Sequence, residues 1–172
     1  MAERKKLDLK EIFFPTLSLF VICLVIAGAL AGVNAVTKEP IAANEKSGAD
    51  IAREGIFAQA SFENCGDYYI ARKDGELLGY CIDSQAQGYG GPIKITVGLD
   101  AKGCVVKVQV INCDGETPGL GQKVKEEGFL QQFIGKKDAV QVDSIASATY
   151  SSQGAADAVN KALEIYREVI AQ

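Results

Sequence analysis

From Phe13 to Val36 no residue carries a charge, and this run decides most of what the chain can become. As a helix rising about 1.5 Å per residue it reaches about 36 Å, enough to cross a hydrocarbon core of about 30 Å with tilt. A cleaved signal peptide has an apolar stretch of about 7 to 15 residues, well short of this one. Lipidation at Cys23 is disfavoured because Val21 and Ile22 are not small and the apolar run continues past it. Arg4, Lys5, Lys6 and Lys10 precede the run, against Lys38 just beyond it. The positive-inside rule then predicts a cytoplasmic tail at 1–11, a transmembrane helix at 12–36 and the bulk of the chain on the outer face of the membrane. Ala27, Ala31 and Ala35, with Gly28 and Gly32, form a small-residue face on which another transmembrane helix can approach closely.

A chain of 172 residues has room beyond this anchor for one globular domain. A net charge of -4 offers no basic stripe for a nucleic-acid partner. The chain has no histidine, which excludes a Ser/His/Asp triad, a histidine-ligated zinc or haem, and a flavin linked to its ring through histidine. Cysteines 23, 65, 81, 104 and 113 form no C-x-x-C pair, so iron–sulfur, zinc and c-type haem spacings are missing and no metal site is expected. Cys23 packs in the span; the other four either pair in an oxidising compartment or stay as buried thiols. There is no nucleophile beside a base and no G-x-G-x-x-G after a strand, so no catalytic residues are assigned.

Past Thr37, Lys38 and Pro40 the chain turns polar, and residues 37–60 read as a helical or extended connector to a domain at 61–172. Tyr68–Arg72 and Leu77–Ile82 flank Asp74-Gly75, a strong hairpin turn. Ile93–Leu99, alternating apolar and polar, and Val105–Ile111 predict a second hairpin. Leu120–Ile134 reads as a helix with Thr117 as N-cap, Pro118 as first helical residue and Gly135 as its stop. Ala139–Asp143 reads as a short strand. Ala155–Ile170 reads as a helix with Val159, Leu163, Tyr166 and Ile170 on one stripe, capped by Ser151 or Ser152. The class is α+β, a membrane helix followed by a twisted antiparallel sheet with helices packed on it.

Two segments remain, Glu116-Thr117-Pro118-Gly119-Leu120-Gly121 and the run from Asp143 through Ser147, Ala148 and Thr149 to Ser152. With the anchor, and with Gly90-Gly91-Pro92-Ile93 before a strand, they resemble over nearly the whole chain the family of G subunits of the Rnf electron-transport complex. The C subunits of the sodium-pumping NADH:quinone oxidoreductase are a more distant likeness. In that family the second segment reads roughly Asp-x-x-Ser/Thr-Gly-Ala-Thr, and its last threonine holds FMN through a phosphoester bond placed by a flavin transferase. Asp143, Ala148 and Thr149 match it; Ala146 stands where a hydroxyl residue is usual and Ser147 where glycine is usual, a residue that permits φ > 0.

The resemblance implies that 61–172 is an FMN-binding domain, that Thr149 carries FMN covalently, and that the transferase recognises Asp143. It also implies that Glu116, Thr117, Gly119, Leu120, Ala148, Ser151 and Tyr89 surround the cofactor, with Tyr89 able to stack on the ring. A helix opening near Ser151 offers unpaired N–H groups and a positive dipole end to the phosphodiester. The implied partners are the other Rnf subunits, and the implied role is an electron relay within an ion-translocating ferredoxin:NAD oxidoreductase. The homologous quinone-reductase component and a tethered scaffold without flavin are the competing functions. Each residue also has a plain structural use: Thr149 and Thr117 as capping or turn hydroxyls, Glu116 as a first-turn carboxylate, Asp143 as a turn residue and Tyr89 as core or surface filler.

Overall fold

The structure, a computed structural model, describes residues 9–170. Arg4, Lys5 and Lys6, which carry most of the charge argument for the 1–11 tail, lie outside the described residues. Two compact units emerge, Met1–Asn44 and Glu45–Gln172.

Helix α1 runs from Leu9 to Ile56, with Pro15 and Pro40 inside it. It is the one helix among the described residues long and apolar enough to cross a membrane, with a mean hydropathy of 2.5 in its most apolar window. Its apolar side chains are exposed, Phe14, Phe20, Leu24 and Val25 among them. Most of the expected connector is helix as well. Proline removes one backbone donor and is usually a breaker, but here the helix runs on past Pro40 through an alanine-rich stretch to Ile56. Ala49, Ala52 and Arg53 are buried, and with Ile56 they fall at the spacing of one helical face.

In the second unit five strands form an antiparallel meander in the order β1 to β5: β1 Ser61–Asn64, β2 Tyr69–Lys73, β3 Glu76–Gln87, β4 Pro92–Leu99 and β5 Val105–Asn112. The Asp74-Gly75 hairpin forms as expected, with both residues at positive φ, +52° and +88°. Strand β1 has no counterpart in the sequence reading, because Ser-Phe-Glu-Asn carries only one apolar residue and gives no alternation to find. One face of the sheet presents Ile93, Ile95, Val97 and Leu99 to helix α3, Thr149–Ile165, whose Ala155, Val159, Ala162 and Leu163 complete the core. The other face takes the end of α1. There the buried Arg53 guanidinium pairs with Asp83 and, at 2.5 Å, with Asp50, and lies 3.9 Å from the Tyr69 ring centroid. Thr96 donates to Asp83 at 2.7 Å, and Lys94 pairs with Glu45 at 2.6 Å.

Three expected elements differ. The helix predicted at Leu120–Ile134 is broken into a 3-10 turn at Gly121–Lys125, a short α2 at Glu127–Leu130 and a second 3-10 turn at Gln131–Phe133. Thr117 is not its cap; the Thr117 carbonyl instead accepts the Leu120 and Gln122 N–H groups in a turn. Glycines at 121 and 128 weaken a continuous helix, while burial of Val124, Phe129 and Phe133 holds the segment to the sheet turn by turn. Gly135 does end it, at φ +76°, donating to the Val105 carbonyl.

Residues 139–143 form no strand. Side-chain amides bond their backbone instead: Asn160 brackets the N–H and C=O of Val140, and Gln132 those of Asp143. Helix α3 starts earlier than predicted, with Ala148 as N-cap and Ser151 and Ser152 inside the first turn. It closes in a π-turn at Tyr166–Ile170.

Candidate functional site

Three segments meet at one end of the sheet: the β3–β4 connection, the stretch after β5, and the start of α3. Their junction is Glu116, 2 % exposed although it follows a turn. One of its carboxyl oxygens accepts the Gly90 N–H at 3.0 Å, and the other accepts the Ser151 hydroxyl. Glycine makes room for it, since a Cβ on Gly88 would stand 2.4 Å from one of these oxygens and a Cβ on Gly121 2.9 Å from the other. Gly154 lets α3 close on β3, where a Cβ would lie 2.7 Å from the Gln87 carbonyl oxygen. Glu116 is thus a strut between segments, and the first-turn dipole role considered for it falls away because no helix begins there.

Beside this strut opens a cleft of about 280 Å³, lined by Tyr89, Thr117, Leu120, Gly121 and residues 147–151. Helix α3 begins at its floor with Thr149, and no side chain caps the helix. The amides of Thr149, Tyr150 and Ser151 have no partner among the described residues; the Ser152 N–H is the first to close, on the Ala148 carbonyl at 2.9 Å. Unpaired first-turn donors at the positive end of a helix favour an anion. The Thr149 side chain is exposed next to them.

The loop that delivers Thr149 is held by Ser152, which is fully buried. Its hydroxyl accepts the Ile145 N–H at 3.0 Å and donates to the Ala148 carbonyl at 2.9 Å. To close this turn Ser147 adopts φ +62°, a left-handed conformation that costs an L-residue roughly 1 kcal/mol. The position where the resemblance leads one to expect glycine therefore has a backbone that suits glycine, and serine fills it under strain. Ser147→Gly is expected to raise stability by about 0.5–1 kcal/mol, part of the relief being lost to the freer unfolded chain. Thermal unfolding of the two proteins side by side checks this, and an equal or lower midpoint for the glycine variant refutes it.

Of the residues singled out in the sequence, Tyr89, Thr117, Leu120, Ala148, Thr149 and Ser151 come together around one cleft, with Glu116 behind its wall. Gly119 and Asp143 do not line it. Gly119 sits at φ +72° in the preceding turn, and Asp143 lies in a separate depression with Lys123, Glu126, Phe129 and Ser144. Tyr150, Gly121 and Ser147 line the cleft without having been singled out as contacts. Only Tyr150 carried a usable signal, its adjacency to Thr149; the close approaches at Gly88, Gly121 and Gly154 are tertiary facts.

The four domain cysteines and Cys23 are free thiols. Burial, with the nearby Asp83 carboxylate adding to it, pushes the Cys81 thiol up to about 12. Burial raises Cys113 as well, against the pull of Lys125. Groups of His, Cys, Asp and Glu able to hold a metal do not occur among the described residues.

Residues 88–164, which hold the cleft and helix α3 almost to its end, match the family model of the FMN-binding domain. Beyond the domain, almost the whole chain is similar to the G subunits of ion-translocating oxidoreductase complexes. It is 26 % identical to the G subunit of the Na(+)-translocating ferredoxin:NAD(+) oxidoreductase complex of Acetobacterium woodii, over 97 % of each chain. It is 28 % identical to the proton-translocating counterpart of Clostridium ljungdahlii, over 93 % of this chain and 94 % of that one. Among solved structures, the C subunit of the Na(+)-translocating NADH-quinone reductase of Parabacteroides distasonis shares the fold, with a TM-score of 0.51 and 24 % identity. That match covers 59 % of this chain and 60 % of the other.

Proposed function

We propose that this chain is the flavoprotein subunit of an ion-translocating ferredoxin:NAD oxidoreductase of the Rnf type, anchored by α1 and carrying FMN as a phosphoester on Thr149. The observation that carries this reading is the exposed Thr149 hydroxyl standing beside three unpartnered amides at the start of α3. The cleft fits such a group. The amides of residues 149–151 receive a phosphodiester anion. Thr117, Leu120 and Tyr89 line the space next to it, where apolar and aromatic surface can hold a flat ring and exclude water. Bound FMN supplies reversible electron transfer, and the protein's part is to hold, orient and tune it. Asp143, outside the cleft and exposed, remains free for recognition by the flavin transferase, and the other subunits of the complex are the partners.

The decisive measurement is the intact mass of the full chain from a host containing the transferase, together with flavin fluorescence of the denatured band. A single added FMN supports the reading. An unmodified, dark chain from such a host refutes it and leaves a tethered scaffold.

The proposed topology places the N-terminus in the cytoplasm and the flavin domain outside, and it can be checked through the thiols. Cys65 is exposed, whereas Cys81 and Cys113 are buried with raised thiol values. Because the thiolate is the reactive form, a membrane-impermeant maleimide near neutral pH is expected to label Cys65 from outside intact cells. Cys81 and Cys113 react only after denaturation. Labelling of Cys65 that requires cell lysis puts the domain on the inner side. The same shift implies that the native state loses stability as pH rises from 9.0, the ordinary thiol value, towards about 12.

A further inference from the structure

Within the Glu45–Gln172 unit, Tyr89 and Tyr150 are the exposed aromatic rings, 71 % and 74 % accessible. They are not scattered. Tyr89 stands on the β3–β4 connection and Tyr150 on the first turn of α3, and both line the Thr149 cleft. Their ring centroids are 6.5 Å apart and their planes meet at 38°, which is neither a stacked nor an edge-on pair. A third flat ring lying against both needs plates about 7 Å apart, twice the contact distance of about 3.5 Å between carbon atoms. The centroid separation of 6.5 Å is close to that spacing. Rings this exposed have little packed against them to resist a small rotation, and neither contributes to the core.

We propose that Tyr89 and Tyr150 are the two plates of an aromatic clamp that takes the isoalloxazine ring of FMN, with Tyr150 the positioning residue that fixes the ring against the domain. This rests on the function proposed above and adds a contact to it. The geometry follows from chain order: the residue that bonds the phosphate and the residue that stacks the ring are neighbours on one helical turn, and the strut through Glu116 fixes the opposite plate by holding Gly90, next to Tyr89. A ring stacked on tyrosine has its emission quenched, because the phenol gives an electron to the excited ring and takes it back, with no net change.

The test uses the full chain made with the transferase and purified in detergent, compared at equal flavin load by intact mass. Tyr150→Leu is expected to keep its FMN, since Thr149 is untouched. Its native flavin emission is expected to rise by about three-fold and its visible circular dichroism to fall as the ring loses one plate. Tyr150→Trp restores both low emission and dichroism, which loss of a merely structural side chain would not do. After denaturation the variants emit alike. Native emission and dichroism that match wild type in Tyr150→Leu, at the same flavin mass, overturn the clamp while leaving the flavin assignment standing. A wild-type chain without FMN removes both.

Discussion

If FMN is esterified to Thr149 as proposed, Thr149→Val is expected to remove all covalent flavin from the protein while the domain stays folded. Valine keeps the β-branched shape of threonine and lacks only the hydroxyl, and that hydroxyl has no hydrogen-bond partner among the described residues. Its loss therefore leaves no buried group unsatisfied, and the cost at an exposed first-turn position is expected to stay within about 0.5 kcal/mol. What disappears is the oxygen proposed to form the ester. Intact mass should fall to that of the polypeptide, and the denatured band should be dark. Thr149→Ser retains the oxygen on the same turn and is expected to keep at least part of the load. If Thr149→Val still carried FMN, another hydroxyl would be the acceptor, and Ser144, Ser147 and Tyr150 would be the next to test.

Glu116→Ala has the largest expected effect on stability, about 2–4 kcal/mol. The carboxyl binds the Gly90 N–H and the Ser151 hydroxyl, and each buried group left without its partner costs roughly 1–3 kcal/mol. Truncation also leaves space among Gly88, Gly121 and Ser151, glycines and a small side chain that cannot expand to refill it. Glu116→Gln should recover much of this, since the amide still accepts one of the two bonds. Denaturant unfolding of the three proteins measures the difference. An alanine variant as stable as wild type would show that the strut carries no load. Because Glu116 ties the β3–β4 connection to the start of α3, the alanine variant should also take up less flavin than its residual folded fraction allows.

The sequence made the long apolar helix, both hairpins and the class of the domain readable, because uncharged length, an Asp-Gly pair and period-two alternation are local signals. Leu120–Ile134 misled because its apolar spacing is helical while Gly121 and Gly128 break the ladder, and burial of Phe129 and Phe133 decides the outcome in three dimensions. The stretch at 139–143 reads as a strand, but Asn160 and Gln132 supply the partners a neighbouring strand would have supplied. At the site, the place of Thr149 where a loop gives way to a helix is legible in the sequence, and so is the special backbone one residue before Ala148, seen as the positive φ of Ser147. The place of Glu116 was not, since nothing local distinguishes a buried carboxyl strut from an acidic residue at a helix start. Tyr150 is marked in the sequence by its adjacency to Thr149 alone, since exposure and ring pairing are not written in order along a chain.

The grip of Arg53 on Asp83 and the Tyr69 ring governs where the protein can be cut. A piece that begins at Ser61, where the first strand starts, discards Ile56 and Phe57, which pack in the cluster with Cys81, and strands Asp83 without its cation. Excision upstream of Glu45 keeps that cover, along with the Glu45 pair to Lys94. The natural seam of the molecule for crystallisation or titration thus runs through the middle of a helix, not at its end.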